Sequence, residues 1–170
     1  MSLVSWGKLR IFAKDLETPG ASWFEIPTPV EDSTGMETTK GDKMEAKVEG
    51  GENEDTMYKR SAYALNFNVR LLKNRRNKPF PDTDGIVEHK YAVAVQPEDE
   101  RCVGIMIDKA TISANTTFSS ADGIIVEYTA DALKPDDGTR QVKYGTVTAT
   151  GSGSTLDVTF VEDTDDSSEE

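Results

Sequence analysis

From Tyr63 to Leu71 every second residue is large and apolar (Tyr63, Leu65, Phe67, Val69, Leu71), with Ala64, Asn66, Asn68 and Arg70 between them. A period of two places the apolar set on one side of an extended chain and the polar set on the other. That is the pattern of a long strand with one buried and one wet face. The same alternation recurs along the chain. Leu9, Ile11 and Ala13 alternate with Lys8, Arg10 and Lys14, leaving Phe12 as the one apolar residue on the polar side. Tyr91, Val93 and Val95 alternate with Ala92 and Ala94; further sets are Ile112 to Phe118, Ile124 to Ala132, and Leu156, Val158, Phe160. The run Cys102 to Ile107 is apolar throughout and reads as a central strand covered on both faces. Val142, Tyr144 and Val147 predict another strand, with Gly145 as a candidate bulge.

Turn chemistry separates these runs. Thr18-Pro19-Gly20 and Pro135 to Gly138 are reverse-turn sequences, the latter with a hairpin-type Asp-Gly pair. Asp82 or Asp84 is placed to cap a short helix over Ile86 to His89. Turn signals at intervals of about 8–12 residues point to a mainly β fold, an antiparallel sandwich or barrel, here with one short helix and a long protruding hairpin. A chain of 170 residues suits one domain, expected over 1–150. Residues 151–170 open on Gly-Ser-Gly-Ser and read as an acidic flexible tail with a short strand.

The hairpin is expected in the segment from Val30 to Asp55. Met36 and Thr38 would form one arm and Met44, Ala46 and Val48 the other, turning near Lys40-Gly41-Asp42, with Lys40 and Lys43 beside the turn. Its apolar content is too low to bury much surface, so it needs a neighbour to be ordered.

The net charge of −12 is uneven: Glu31 to Asp55 carries −6 and Asp157 to Glu170 carries −7, leaving the remainder near neutral. An acidic field of this kind repels nucleic acid. The one basic cluster is Arg70, Lys73, Arg75, Arg76 and Lys78. A single cysteine, Cys102, forms no internal disulfide, so the fold is independent of an oxidising compartment. The N-terminus has no secretory h-region and no stretch reaches the length of a membrane span, so the chain is expected in the cytoplasm when made.

Catalytic chemistry is sparse. The lone histidine, His89, stands beside Glu88 without a recognisable nucleophile or triad. Asp82-Thr83-Asp84-Gly85 lacks the later ligands of a calcium loop. Gly151-Ser152-Gly153 has no lysine after it and opens no helix, so it is not a phosphate loop. No enzyme, cofactor or metal site is expected. Trp6 and Trp23 suit either an interface or the core.

Three segments in order resemble the major tail tube proteins of long-tailed phages, in the form common in Bacteroidetes phages and prophages. They are Thr34 to Glu52 (TGMETTKGDKMEAKVEGGE), Asp82 to Glu88 (DTDGIVE) running into Tyr91 to Asp99 (YAVAVQPED), and Ala132 to Pro135 (ALKP) followed by Val142 to Thr146 (VKYGT). The similarity spans roughly residues 20–150. The resemblance implies a structural subunit that assembles in the host cytoplasm into stacked hexameric rings. These form the hollow virion tail through which DNA passes without specific binding. It implies contacts with copies of itself and with other tail proteins, an inter-subunit role for the Met36–Val48 hairpin, and a lumen lined by acids such as Glu37, Asp42, Glu45 and Glu49. The inner tube of a contractile injection system is the neighbouring alternative. A non-catalytic β-sandwich binding module is a second, and would need exposed aromatics converging on one face.

Overall fold

The computed structural model describes residues 3–72, 79–136 and 140–163. Arg70 is the one member of the basic cluster within these bounds; Asp137-Gly138 and the chain beyond Asp163 lie outside them. Strand accounts for 57% of the described residues and helix for 2%, so the mainly β expectation holds. The strands are β1 (Arg10–Asp15), β2 (Phe24–Glu25), β3 (Gly35–Thr39), β4 (Lys43–Lys47), β5 (Asn53–Tyr58) and β6 (Ala62–Arg70), followed by β7 (Ile86–Gln96), β8 (Gly104–Ser119), β9 (Gly123–Ala132), β10 (Val142–Thr150) and β11 (Asp157–Glu162).

All pairings are antiparallel. The main sheet runs β2-β1-β7-β8-β9-β6-β3, with β10 pairing β8 and β11 pairing β10. One face of β1, β6, β7, β8 and β9 meets in a shared core that includes Ile11, Phe67, Val93, Ile112 and Tyr128. The sheet therefore curls around its own apolar face without closing into a barrel. A second, smaller core forms on the other side of β1 and β7, where Phe12, Ala92 and Ala94 are roofed by Val147, Leu156 and Val158. Phe12 is thus fully buried, not on a wet face: β1 has a cover on each side, and alternation reports only one. The small side chains of Ala92 and Ala94 let this second layer come close. Trp23 packs into the same layer, whereas Trp6 is 71% exposed.

A bulge explains how β8 serves both layers. Its pairing with β7 shifts between Tyr91↔Ala110 and Val93↔Ile107, so Asp108 and Lys109 stand opposite Ala92. On one side of the bulge β8 pairs with β10 through Gly104–Ile107; on the other it pairs with β9 from Ala110 onward. A bulge bends a strand and increases its twist, which here redirects β8 from one layer to the other. Ile105 packs on the larger core and Met106 on the smaller, as the reading of Cys102–Ile107 anticipated.

Three local expectations need correction. Residues Ile86–His89 are not a helix but the start of β7. Asp84 and Gly85 both adopt positive φ (51° and 84°), and Thr83 and Ile86 exchange two backbone hydrogen bonds across them. That is a two-residue hairpin turn, which reverses the chain instead of starting a helix; Asp82 Oδ2 accepts from Gly85 N within it. Gly145 is not a bulge either, because its pairing with Gly104 and Glu162 is regular. Its hydrogen atoms are required because a Cβ would overlap the carbonyl oxygen of Val161. The strand expected within 151–170 is β11, and it is part of the domain: it pairs along its length with β10, and Leu156 and Val158 are buried.

Candidate functional site

The hairpin is longer than expected and turns elsewhere. β3 does not pair with β4; it pairs with β6 at the edge of the main sheet, Met36 opposite Leu65 and Thr38 opposite Tyr63. β4 pairs with β5, Met44 opposite Met57 and Ala46 opposite Asp55. Both ladders share one register as far as Ala46↔Asp55, after which a bulge puts Lys47 opposite Asn53, so Gly35 to Asn66 is a single ribbon that is pinched at Lys40–Asp42 and Lys59–Ser61. The turn lies at Val48–Glu52, where Gly50 and Gly51 take positive φ (94° and 86°) and Val48 N donates to Glu52 O. Gly41 is not a turn glycine. It sits at the pinch, where a Cβ would overlap the Lys59 carbonyl and crowd that of Arg60.

Beyond the pinch every residue of β4 and β5 is exposed. From Lys40 to Glu49 the ribbon extends about 30 Å at roughly 3.3 Å per residue. Strand alternation puts Met44, Ala46 and Val48 on one side together with Met57 and Asp55. Met44, Val48 and Met57 are 46%, 44% and 58% exposed. The other side holds Lys43, Glu45, Lys47, Thr56 and Tyr58. Lys43 and Lys47 both pair with Glu45, at 2.5 and 3.5 Å, and Lys40 lies over the Tyr58 ring at 4.4 Å. The hydrogen bond from Lys43, reinforced by its charge and by Lys47, holds the Glu45 carboxyl below its ordinary range.

The residues expected in the hairpin are therefore divided. Met36, Thr38 and Glu37 belong to the sheet edge, with Met36 against the larger core. Lys40 and Asp42 form the pinch, where Asp42 O accepts from Lys59 N. Lys43, Met44, Glu45, Ala46, Val48 and Glu49 lie on the free arm. Met57 and Tyr58 were missed. Their signal was the pair Gly50-Gly51 flanked by apolar residues at matching distances, Met44 and Met57.

Charge is segregated along the arm. Its tip carries Glu49, Glu52, Glu54 and Asp55 against one base, Lys47, which stands opposite Asn53. Its root carries Lys40, Lys59 and Arg60 against Asp42. Lys59 and Arg60 make no ion pair among the described residues. At the foot of the ribbon, Met36 and Leu65 help line an apolar hollow of about 170 Å³, which Trp6, Val103 and Ile105 also border. Another uncovered pair, Phe118 opposite Ile124, stands at the β8–β9 tip, 76% and 40% exposed.

His89 has a partner that the sequence did not reveal. Its Nδ1 lies 2.8 Å from Asp15 Oδ2, joining the end of β1 to β7. Thr18 Oγ1 and Glu17 N also donate to Asp15. Among the described residues His89 hydrogen-bonds to no serine, threonine or cysteine, and no group of three His, Cys, Asp or Glu side chains converges. The hydrogen bond to Asp15, with that residue's charge, raises the His89 pKa above 6.5. Desolvation pushes Asp15 up, but the bonds from His89, Glu17 and Thr18 together win and its pKa falls below 3.8. The pair's stabilisation is therefore complete between these ordinary values. It is lost as pH rises through the histidine's elevated pKa, and as pH falls through the aspartate's lowered one. An NMR titration should place the His89 midpoint above 6.5, and Asp15→Asn should return it toward that value. A wild-type midpoint at or below 6.5 would remove the ion pair from the solution structure.

No helix among the described residues is long and apolar enough to cross a membrane. Compared with known proteins, the chain matches no family model and no curated sequence.

Proposed function

We propose that this chain is the repeating subunit of a hollow protein tube, of the kind that forms the tail of long-tailed phages. Copies associate laterally into rings, hexameric in the expected form, and rings stack to enclose a channel. The subunit acts by shape and charge. The observation that carries this reading is the free arm, a two-stranded ribbon with an uncovered methionine stripe on a well-packed body. An isolated hairpin is marginal in water, and a stripe of this kind gains stability when another surface covers it. The uncovered Phe118–Ile124 pair supports a second contact surface on the same body. A net charge of −12 suits a wall past which DNA slides, since it offers the polyanion no attractive lining. In this reading the subunit assembles in the host cytoplasm and its partners are its own copies and the other proteins of the tail.

Light scattering and negative-stain electron microscopy over rising protein concentration test the proposal, with rings or tubes expected. Replacing Lys43–Tyr58 by a tight turn removes no buried residue, so the body should fold with an unchanged unfolding midpoint while assembly is lost. Protease should cut the arm in free subunits and spare it in assembled ones. A wild-type chain that stays monomeric at every concentration, or an armless one that assembles equally well, would defeat the reading.

A further inference from the structure

The arm's two ends carry opposite charge, and its apolar stripe matches an apolar hollow at its own foot. Along the ribbon the tip acids lie about 13–26 Å from Lys59 and Arg60, beyond the Debye length of about 8 Å at physiological salt. Within one chain the acids of the tip therefore do little to neutralise Lys59 and Arg60. A second copy can bring them together. The hollow bordered by Trp6, Met36 and Val103 begins about four residues from the root, about 13 Å along the same ribbon. Charged and apolar receiving surfaces are thus adjacent, as the tip and the Met44–Met57 stripe are on the arm.

We propose that the arm is a head-to-tail connector: its acidic tip and methionine stripe seat on the basic root and Trp6 hollow of a second copy. This rests on the tube-subunit reading and names the surface that receives the arm. Tip and root are different surfaces, so the contact is heterologous: every subunit gives an arm and receives one. Such a contact propagates into a closed ring or an open helix instead of ending at a pair.

Charge reversal separates the alternatives. With Lys47 counted, Glu52→Lys with Glu54→Lys turns the tip from −3 to +1; Lys59→Glu with Arg60→Glu turns the root from +2 to −2. All four positions are exposed, so unfolding midpoints should stay near that of the wild type. Each pair alone should raise the concentration at which assembly begins by about tenfold or more, as should high salt. Mixing the two variants, or combining all four substitutions in one chain, should restore assembly, because each tip again meets a root of opposite sign. Wild-type rings that are indifferent to both reversals would overturn the connector while leaving the tube subunit standing. Association that stops at a two-fold pair would overturn the head-to-tail polarity. A wild-type chain that never associates would overturn both readings.

Discussion

Phe80→Ala should cost about 3–5 kcal/mol of folding stability, the range for deleting a fully buried aromatic ring. Phe80 is 0% exposed although it belongs to no strand. Pro79 and Pro81 flank it and restrict the backbone that delivers it. Its ring lies 4.8 Å from that of Tyr91, 5.3 Å from Tyr128, 5.8 Å from Phe24 and 6.4 Å from Phe67. Three of these contacts are edge-to-face, the geometry that adds about 0.5–1.5 kcal/mol per pair beyond burial. The Tyr128 ring is buried with them, and desolvation, with Asp82 nearby, pushes the pKa of its hydroxyl far up. Removing Phe80 leaves a cavity where β2, β6, β7 and β9 converge. Urea titration should show the loss as a lower midpoint with little change in slope. Phe80→Leu, which refills most of the space, should cost only about 1–2 kcal/mol. A loss below about 1 kcal/mol for the alanine variant would mean that this residue does not plug the core.

Gly145→Ala should be the next most damaging single change, on the order of 2–3 kcal/mol. The residue pairs with Gly104 on one side and Glu162 on the other, and an added methyl group would overlap the Val161 carbonyl. The clash is with backbone, which has no alternative rotamer. Either β10 is forced against β8 or the end of β11 peels off. The second disturbs fewer buried residues, because Val161 and Glu162 are exposed whereas Val142 and Val147 are in the cores. Hydrogen exchange should therefore rise first at the Thr159–Glu162 end of β11 and remain low in β7. Wild-type exchange and an unchanged melting temperature would show that the two strands are not as close as the pairing requires.

The strands were legible wherever one face is buried and the other wet. β6 and β9 follow their alternation, since Phe67, Val69, Val126 and Tyr128 are buried and their neighbours are not. The reading failed at Phe12 because the second cover, β11, lies far away in sequence. It failed at Ile86–His89 because aspartate suits both a helix cap and a left-handed turn position, and the following glycine decides between them. The arm's apolar side was half legible. Met44, Ala46 and Val48 were identified, whereas Met57 lay just beyond the segment, Val30 to Asp55, in which the hairpin was expected. The turn was misplaced because Gly41 and Gly50-Gly51 are equally plausible reversals in sequence. Only the pairing of Lys59 with Asp42 shows that Gly41 yields space to a neighbouring backbone. The charge split was present in the composition, but it acquired direction only when tip and root were located.

The pinch at Lys40–Asp42 keeps the bond from Lys59 N to Asp42 O and neither adds nor removes a residue on either strand. Tilting the outer segment about that point therefore keeps every cross-strand partner in place, whereas sliding it by one position would invert every side chain. The result is a swivel: elevation can change while Met44 and Met57 keep facing the same way. In the proposed tube, subunits at the end of a stack and subunits in its interior would carry the same sequence with the arm at different elevations.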